Sequence, residues 1–338
     1  MQVDLIVSSA ESLAHKFSAM LRAGGSTILQ LLRPAPFHNT TRMMSLVTVD
    51  IPSLLEADKA VDPVKRGQQL KFVDGSWYMD KERKPVTEFM NERIPGSQYF
   101  DIDAISDKSS SLPHMIPSAE QFSEHMQNFG IFNDDHVVVY TNQGAFSAAR
   151  VWWMFRLFGH DKVSILNGGL AAWKSAGGAT ENGAVSPPSK STFTAKINPN
   201  YVLKADDVLT IVNSGAAQIV DARSMARFMG EAPEPRAGLA GGHIPGSLCL
   251  PFAQLLQPDD PTKFRSPLEI KNAVQEAGVV LGANMVFSCG SGVTAAVLYF
   301  GVHLLGIDMS KLALYDGSWT EWAQNPDLPK NNPSQLTK

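Results

Sequence analysis

Short apolar runs alternate with longer stretches of helical period along most of this chain. Leu70-Lys71-Phe72-Val73 and His136-Val137-Val138-Val139-Tyr140 are too short for helices and rich in β-branched residues, so they are expected as buried strands. The run from Ala148 to Phe158 is apolar on nearly every side and ends at Gly159, the pattern of a buried helix with a glycine stop. The same succession returns later. Gln218-Ile219-Val220 and Met285-Val286-Phe287 read as strands, and Thr294 to Leu305 reads as a helix closed by Gly306. Strands alternating with helices imply an α/β fold, an open and mostly parallel sheet with helices on both faces. Ligands of such sheets bind beyond the carboxyl ends of the strands.

The return is a repeat with nearly constant spacing. Ile94-Pro95-Gly96-Ser97 recurs as Ile244-Pro245-Gly246-Ser247, an offset of 150, and Asp74 recurs as Asp221, an offset of 147. Asn167-Gly168-Gly169-Leu170 with Trp173 matches Asp316-Gly317-Ser318-Trp319 with Trp322, an offset of 149. Three landmarks in one order at almost one offset indicate two copies of a single domain. The boundaries expected are an extension at 1–45, a first domain at 46–180, a linker at 181–200 and a second domain at 201–330. The linker follows from the stretch 178–200, rich in Ser, Pro, Asn and Gly and including Ser186-Pro187-Pro188-Ser189.

Composition narrows the partners. Of 338 residues, 44 % are hydrophobic and 18 % charged, enough apolar material for two buried cores in a soluble, globular chain. With 29 basic and 33 acidic residues the net charge is -4, so neither nucleic-acid nor membrane binding is indicated. No run approaches the roughly 18 apolar residues of a membrane span. Between Ser12 and Val49 there is no acid, whereas Lys16, Arg22, Arg33 and Arg42 stand among many Ser and Thr, a composition like that of a mitochondrial transit segment. Asp4 and Glu11 break that pattern; a start at Met20 would remove both, and a start at Met43 or Met44 would leave a cytosolic protein. Mitochondrial and cytoplasmic locations both stay open.

Two cysteines, Cys249 and Cys289, cannot build a disulfide framework and suit a reducing compartment. Cys249, in Ser247-Leu248-Cys249-Leu250-Pro251, reads as a small core hydrophobe on a strand. Cys289 differs. It opens the run Cys289-Gly290-Ser291-Gly292-Val293-Thr294 between a strand and a helix, with two glycines able to take left-handed conformations. A helix beginning near Val293 would turn unpaired N–H groups and the positive end of its dipole toward the sulfur, favouring a thiolate. Superposing the copies places Asn142 over Cys289, and an amide cannot act as a sulfur nucleophile. Only the second copy can therefore carry thiol chemistry.

These features together resemble the tandem-domain rhodanese-type sulfurtransferases from about residue 46 to 325. Phe100-Asp101-Ile102-Asp103, Arg150-Val151-Trp152-Trp153-Met154-Phe155-Arg156 and Tyr315-Asp316-Gly317-Ser318-Trp319 add to the likeness. The Cys289 loop is most similar to that of the members using 3-mercaptopyruvate. The resemblance implies an inactive first rhodanese-like domain, a catalytic second one, and transfer of sulfur through a Cys289 persulfide to a thiol such as thioredoxin or a small thiol, or to cyanide. It assigns Arg227 and Arg236 to substrate binding, with the loop positions Gly290, Gly292, Val293 and Thr294. Arginine is suited to a planar carboxylate beside a carbonyl. It further implies that Ser291, His114 and Asp103 form a relay across the domain interface.

Other chemistries fit less well. Thiosulfate-using relatives carry basic side chains directly after the cysteine, where this chain has neutral Gly290 and Ser291. A cysteine phosphatase of related fold would need arginine six residues after the nucleophile, and Ala295 stands there. A non-enzymatic tandem binding module would have a dead loop in both copies. The eight histidines are scattered, with no Cys-x-x-Cys or His-Glu-x-x-His run and no phosphate-binding glycine loop, so neither a metal nor an organic cofactor is expected.

Overall fold

A computed structural model describes residues 51–142 and 146–336. The extension at 1–45, with its transit-like composition, lies outside the described residues.

The first sheet consists of β1 (Leu54–Leu55), β2 (Lys71–Asp74), β3 (Gln98–Tyr99), β4 (Val137–Tyr140) and β5 (Val163–Leu166), in spatial order β1-β5-β4-β2-β3. The second consists of β6 (Val202–Leu203), β7 (Gln218–Asp221), β8 (Leu248–Cys249), β9 (Met285–Ser288) and β10 (Leu312–Tyr315), in order β6-β10-β9-β7-β8. The two orders are identical, and every pairing between these strands is parallel. Central strands β4 and β9 are buried at all four positions, which explains their unbroken apolar character. The two-residue edge strands lack a period long enough to be read from the sequence.

The landmarks of the repeat do the same local work in each copy. Ile94-Pro95-Gly96-Ser97 closes a turn with Gly96 at φ +73° and a 3.1 Å bond from the Ser97 N–H to the Ile94 carbonyl; Gly246, at φ +76°, and Ser247 repeat it. Proline second and glycine third fit the dihedrals of a type II turn. Trp173 and Trp322 each donate the indole N–H to a backbone carbonyl 2.7 Å away, that of Ala179 and Pro329 respectively. Gly159 and Gly306, expected as helix stops, have φ of +81° and +78°.

The helices Ala148–Leu157 and Ala295–His303 are buried almost throughout and pack on each other, with the rings of Trp152 and Phe300 4.8 Å apart. One hydrophobic cluster thus runs from the first domain into the second. A helix apolar on all sides needs cover on all sides, and each domain supplies it for the other's helix. The segment 181–198 lies along the first domain: Glu181 pairs with Arg93, Phe193 is buried against Phe122 and His160, and the Asn198 N–H donates to the Leu157 carbonyl at 2.8 Å.

Candidate active site

Strand β9 ends at Ser288 and delivers Cys289 to the order-switch side of the sheet, where β9 lies between β7 and β10. Cys289 is 2 % exposed and lines a cavity of about 390 Å³ built from both domains. Trp77, Met79, Lys81 and Phe146 come from the first; Arg227, Arg236, Phe252 and the residues around the cysteine come from the second.

The loop glycines have different reasons to be glycine. Gly292 has φ +78°, and a Cβ there would stand 2.9 Å from Arg150 Nη1 and 3.0 Å from the Asp316 carbonyl. Gly290 is outside the left-handed region; a Cβ on it would come 3.1 Å from Arg227 Nη2. So one glycine makes the turn and the other makes room for an arginine. The helix begins at Ala295, two residues later than expected, which leaves more of the loop's amides outside it. The N–H groups of Gly290, Ser291, Val293 and Thr294 find no acceptor among the described residues, and remain free to meet an anion. The Gly292 N–H, by contrast, donates to the Ser318 hydroxyl at 3.1 Å, as does the Cys289 N–H at 3.2 Å. That engagement was not foreseen; Gly292 contributes conformation instead.

The arginines are held in sequence by carboxylates. Arg223 is fully buried, bonded to Asp221, Glu234 and the Gly242 carbonyl, and is structural. Glu234 also grips Arg227, Oε2 to Nη2 at 2.5 Å, leaving the Arg227 side chain 19 % exposed at the cavity. Arg236 Nη2 donates to Ser291 Oγ at 3.4 Å. Burial pulls the Arg236 guanidinium below the usual arginine range. Glu234, the common brace, had no role assigned to it from the sequence.

The relay residues are partly assembled. His114 Nδ1 and Asp103 Oδ1 lie 2.6 Å apart, and Trp77 Nε1 donates to Asp103 Oδ2 at 2.9 Å. The His114 partner holds the Asp103 carboxyl below the usual range. His114 is buried at φ +60°, with its ring edge-on to Trp77. Neither ring nitrogen makes a hydrogen bond of good geometry among the described residues, and no bond joins Nε2 to Ser291.

Arg150 ties these parts together and was missed as a functional residue. From the first domain's helix it reaches Asp316 Oδ1 at 2.7 Å, the Gly292 carbonyl at 3.4 Å and the His114 carbonyl at 2.6 Å. Asp316 Oδ2 in turn accepts from the Ile116 N–H at 2.8 Å. One guanidinium so links the His114 segment to the cysteine loop. An arginine inside an otherwise apolar helix was the available signal, since such a charge needs a buried partner.

Cys249 is half-buried at the end of β8, with its sulfur 3.6 Å from the Arg223 carbonyl. Burial pushes its thiol up to about 12, so it stays protonated at neutral pH. In the first copy, the Asn142 N–H donates to Ser76 Oγ at 2.8 Å and its side-chain amide reaches Glu88. No thiol stands there.

This architecture places the chain in a class. The chain belongs to the rhodanese-like domain family, whose description matches residues 57–176 and 204–325. It is similar to the thiosulfate/3-mercaptopyruvate sulfurtransferase 1, mitochondrial, of Arabidopsis thaliana, 44 % identical over 285 residues and covering 78 % of this chain and 74 % of that one. The 3-mercaptopyruvate sulfurtransferase of Escherichia coli K12 is 43 % identical over 249 residues, covering 74 % and 86 %. Among solved structures, SseA from Escherichia coli, described as a 3-mercaptopyruvate sulfotransferase, aligns with a TM-score of 0.71 at 37 % identity, covering 79 % of this chain and 98 % of that one.

Proposed function

We propose that this protein is a sulfurtransferase that takes sulfur from 3-mercaptopyruvate onto Cys289 and passes it to a thiol or cyanide. The carrying observation is a buried cysteine on a loop with four unpaired N–H groups, facing Arg227 and Arg236 across one cavity. Arg227 and Arg236 bind the carboxylate and keto oxygen of the donor. The Cys289 thiolate attacks the donor sulfur; the S–S bond forms, the C–S bond breaks, and its electrons move onto carbon to give the enolate of pyruvate. The donor's thiol proton ends on that carbon, leaving pyruvate and a persulfide anion among the loop amides. An acceptor thiolate then attacks the outer sulfur and regenerates the Cys289 thiolate. Asp103 fixes the His114 ring, whose unpartnered Nε2 completes a relay with Ser291 once substrate draws the two together.

Thiosulfate is the second donor to consider, because relatives named for it include the thiosulfate sulfurtransferase of Rattus norvegicus at 39 % identity. The neutral Gly290 and Ser291 favour the keto acid over a dianion. No helix among the described residues is long and apolar enough to cross a membrane. A relative named as mitochondrial supports a mitochondrial location, with the cytoplasm as the alternative.

Intact-mass measurement after exposure to 3-mercaptopyruvate should show one added sulfur, located by peptide mapping on Cys289 and absent from Cys289→Ser. Paired kcat/KM values for 3-mercaptopyruvate and thiosulfate should favour the former. Sulfur on Cys249, or none on either cysteine, would sink the assignment.

A further inference from the structure

The two copies differ at one buried position beneath the cysteine loop. In the first, Gly169 has φ +54°, and a Cβ there would stand 2.1 Å from the Thr141 carbonyl oxygen, leaving no room for a side chain. In the second, the matching residue is Ser318, fully buried at φ +51°. Ser318 and His114 are the two non-glycine residues with positive φ among the described residues. A serine kept in a conformation that glycine holds without strain in the sister copy needs a compensating role.

Its bonds supply one. Ser318 Oγ accepts from the Cys289 N–H at 3.2 Å and the Gly292 N–H at 3.1 Å, and donates to the Tyr315 carbonyl at 2.8 Å. With the hydroxyl proton spent on Tyr315, the oxygen is left as an acceptor for both amides. The next residue moves with it. The Leu170 N–H bonds the Thr141 carbonyl in the first copy, whereas the Trp319 N–H bonds the Cys289 carbonyl in the second, one residue further along the loop at the offset of 147. The first copy settles the amide matching that of Cys289 differently, through Ser76 Oγ, whose counterpart is Arg223.

Resting on the sulfur-transfer reading of Cys289, we infer that Ser318 is a positioning residue, pinning the two ends of the Cys289–Gly292 turn so that the remaining loop amides converge on the reacting sulfur. Two amides bonded inward at the ends of the turn fix its curvature, and the amides of Gly290 and Ser291 within it and of Val293 and Thr294 just beyond it are left without an acceptor among the described residues. The inactive copy has glycine at this position and therefore no hydroxyl to offer.

Ser318→Ala and Ser318→Gly both remove the hydroxyl, and Ser318→Gly also removes the left-handed strain, so it should fold at least as readily as Ser318→Ala. Iodoacetamide alkylation of Cys289 should be followed against pH by mass spectrometry, together with kcat and KM for 3-mercaptopyruvate. Both variants should alkylate at least about tenfold more slowly at pH 7, with the alkylation profile moved to higher pH, because a loosened loop stabilises the thiolate less. Turnover should lose kcat while KM stays near wild type, since Arg227 and Arg236 are untouched. A folded Ser318→Gly that alkylates along the wild-type profile with wild-type kcat would overturn the inference. A wild-type protein that takes no sulfur from 3-mercaptopyruvate would instead overturn the proposed donor, and the alkylation profiles would still decide the role of Ser318.

Discussion

Replacing Arg150 with methionine tests the cross-domain clamp directly. The perturbation deletes a guanidinium that is 0 % exposed and leaves Asp316, itself 3 % exposed, with the Ile116 N–H at 2.8 Å as its remaining hydrogen-bond donor. Removing one partner of a buried pair typically destabilises by about 3–5 kcal/mol, because the other charge stays desolvated. The His114 and Gly292 carbonyls also lose a donor, at about 1 kcal/mol each where no water replaces it. Methionine fills much of the same volume against Trp153, which offsets part of the loss. A net destabilisation of about 4 kcal/mol is expected, read from urea denaturation followed by circular dichroism. Asp316→Asn in the Arg150→Met background should recover at least about 1 kcal/mol, because the orphaned charge is then gone. Activity of Arg150→Met should fall even at temperatures where it remains folded, since the Gly292 and His114 segments lose their common anchor. Stability within 1 kcal/mol of wild type, or strictly additive effects with Asp316→Asn, would refute the clamp.

Arg227→Ala and Arg236→Ala should each lose about 2–4 kcal/mol in kcat/KM for 3-mercaptopyruvate, with smaller losses for thiosulfate; unchanged values in both would place the keto acid elsewhere. Asp74 should make stability fall as pH rises from about 4 to about 6. Burial raises its carboxyl from 3.8 to about 6, so over that window the folded state keeps a proton that the unfolded chain releases, and stability drops as pH rises. The full span corresponds to about 3 kcal/mol, and Asp74→Asn should be stabilising relative to wild type at pH 7.5 but much less so at pH 4.5. An equal effect of Asp74→Asn at both pH values would count against that account.

Asp74 and Asp221 also show how the repeat was legible and where it misled. Both end a central strand and accept from the N–H two residues on, at 2.9 Å, so the sequence match corresponds to a shared turn. Yet Asp221 is ion-paired with Arg223 while Asp74 has Ser76 at the equivalent place. Local pattern carries the backbone; the electrostatic environment depends on what the neighbouring elements bring.

The sequence by itself determined the α/β alternation, the two copies and the cysteine-bearing loop between a strand and a helix. Each depends on short-range rules: apolar period, glycine and proline in turns, and the residue type a nucleophile requires. It also marked Cys289, Arg227 and Arg236, which stand on motifs that recur together. Only the tertiary structure decided which groups brace them. Glu234 joins Arg223 to Arg227, Arg150 reaches across the interface to Asp316, and Ser318 turns under a loop 26 residues away along the chain. These contacts bring together residues far apart in sequence, and their meeting is fixed by sheet order and by the packing of helices Ala148–Leu157 and Ala295–His303. A buried arginine or a left-handed serine is visible in the chain as a residue type, but the partner that justifies its cost is selected by three-dimensional packing.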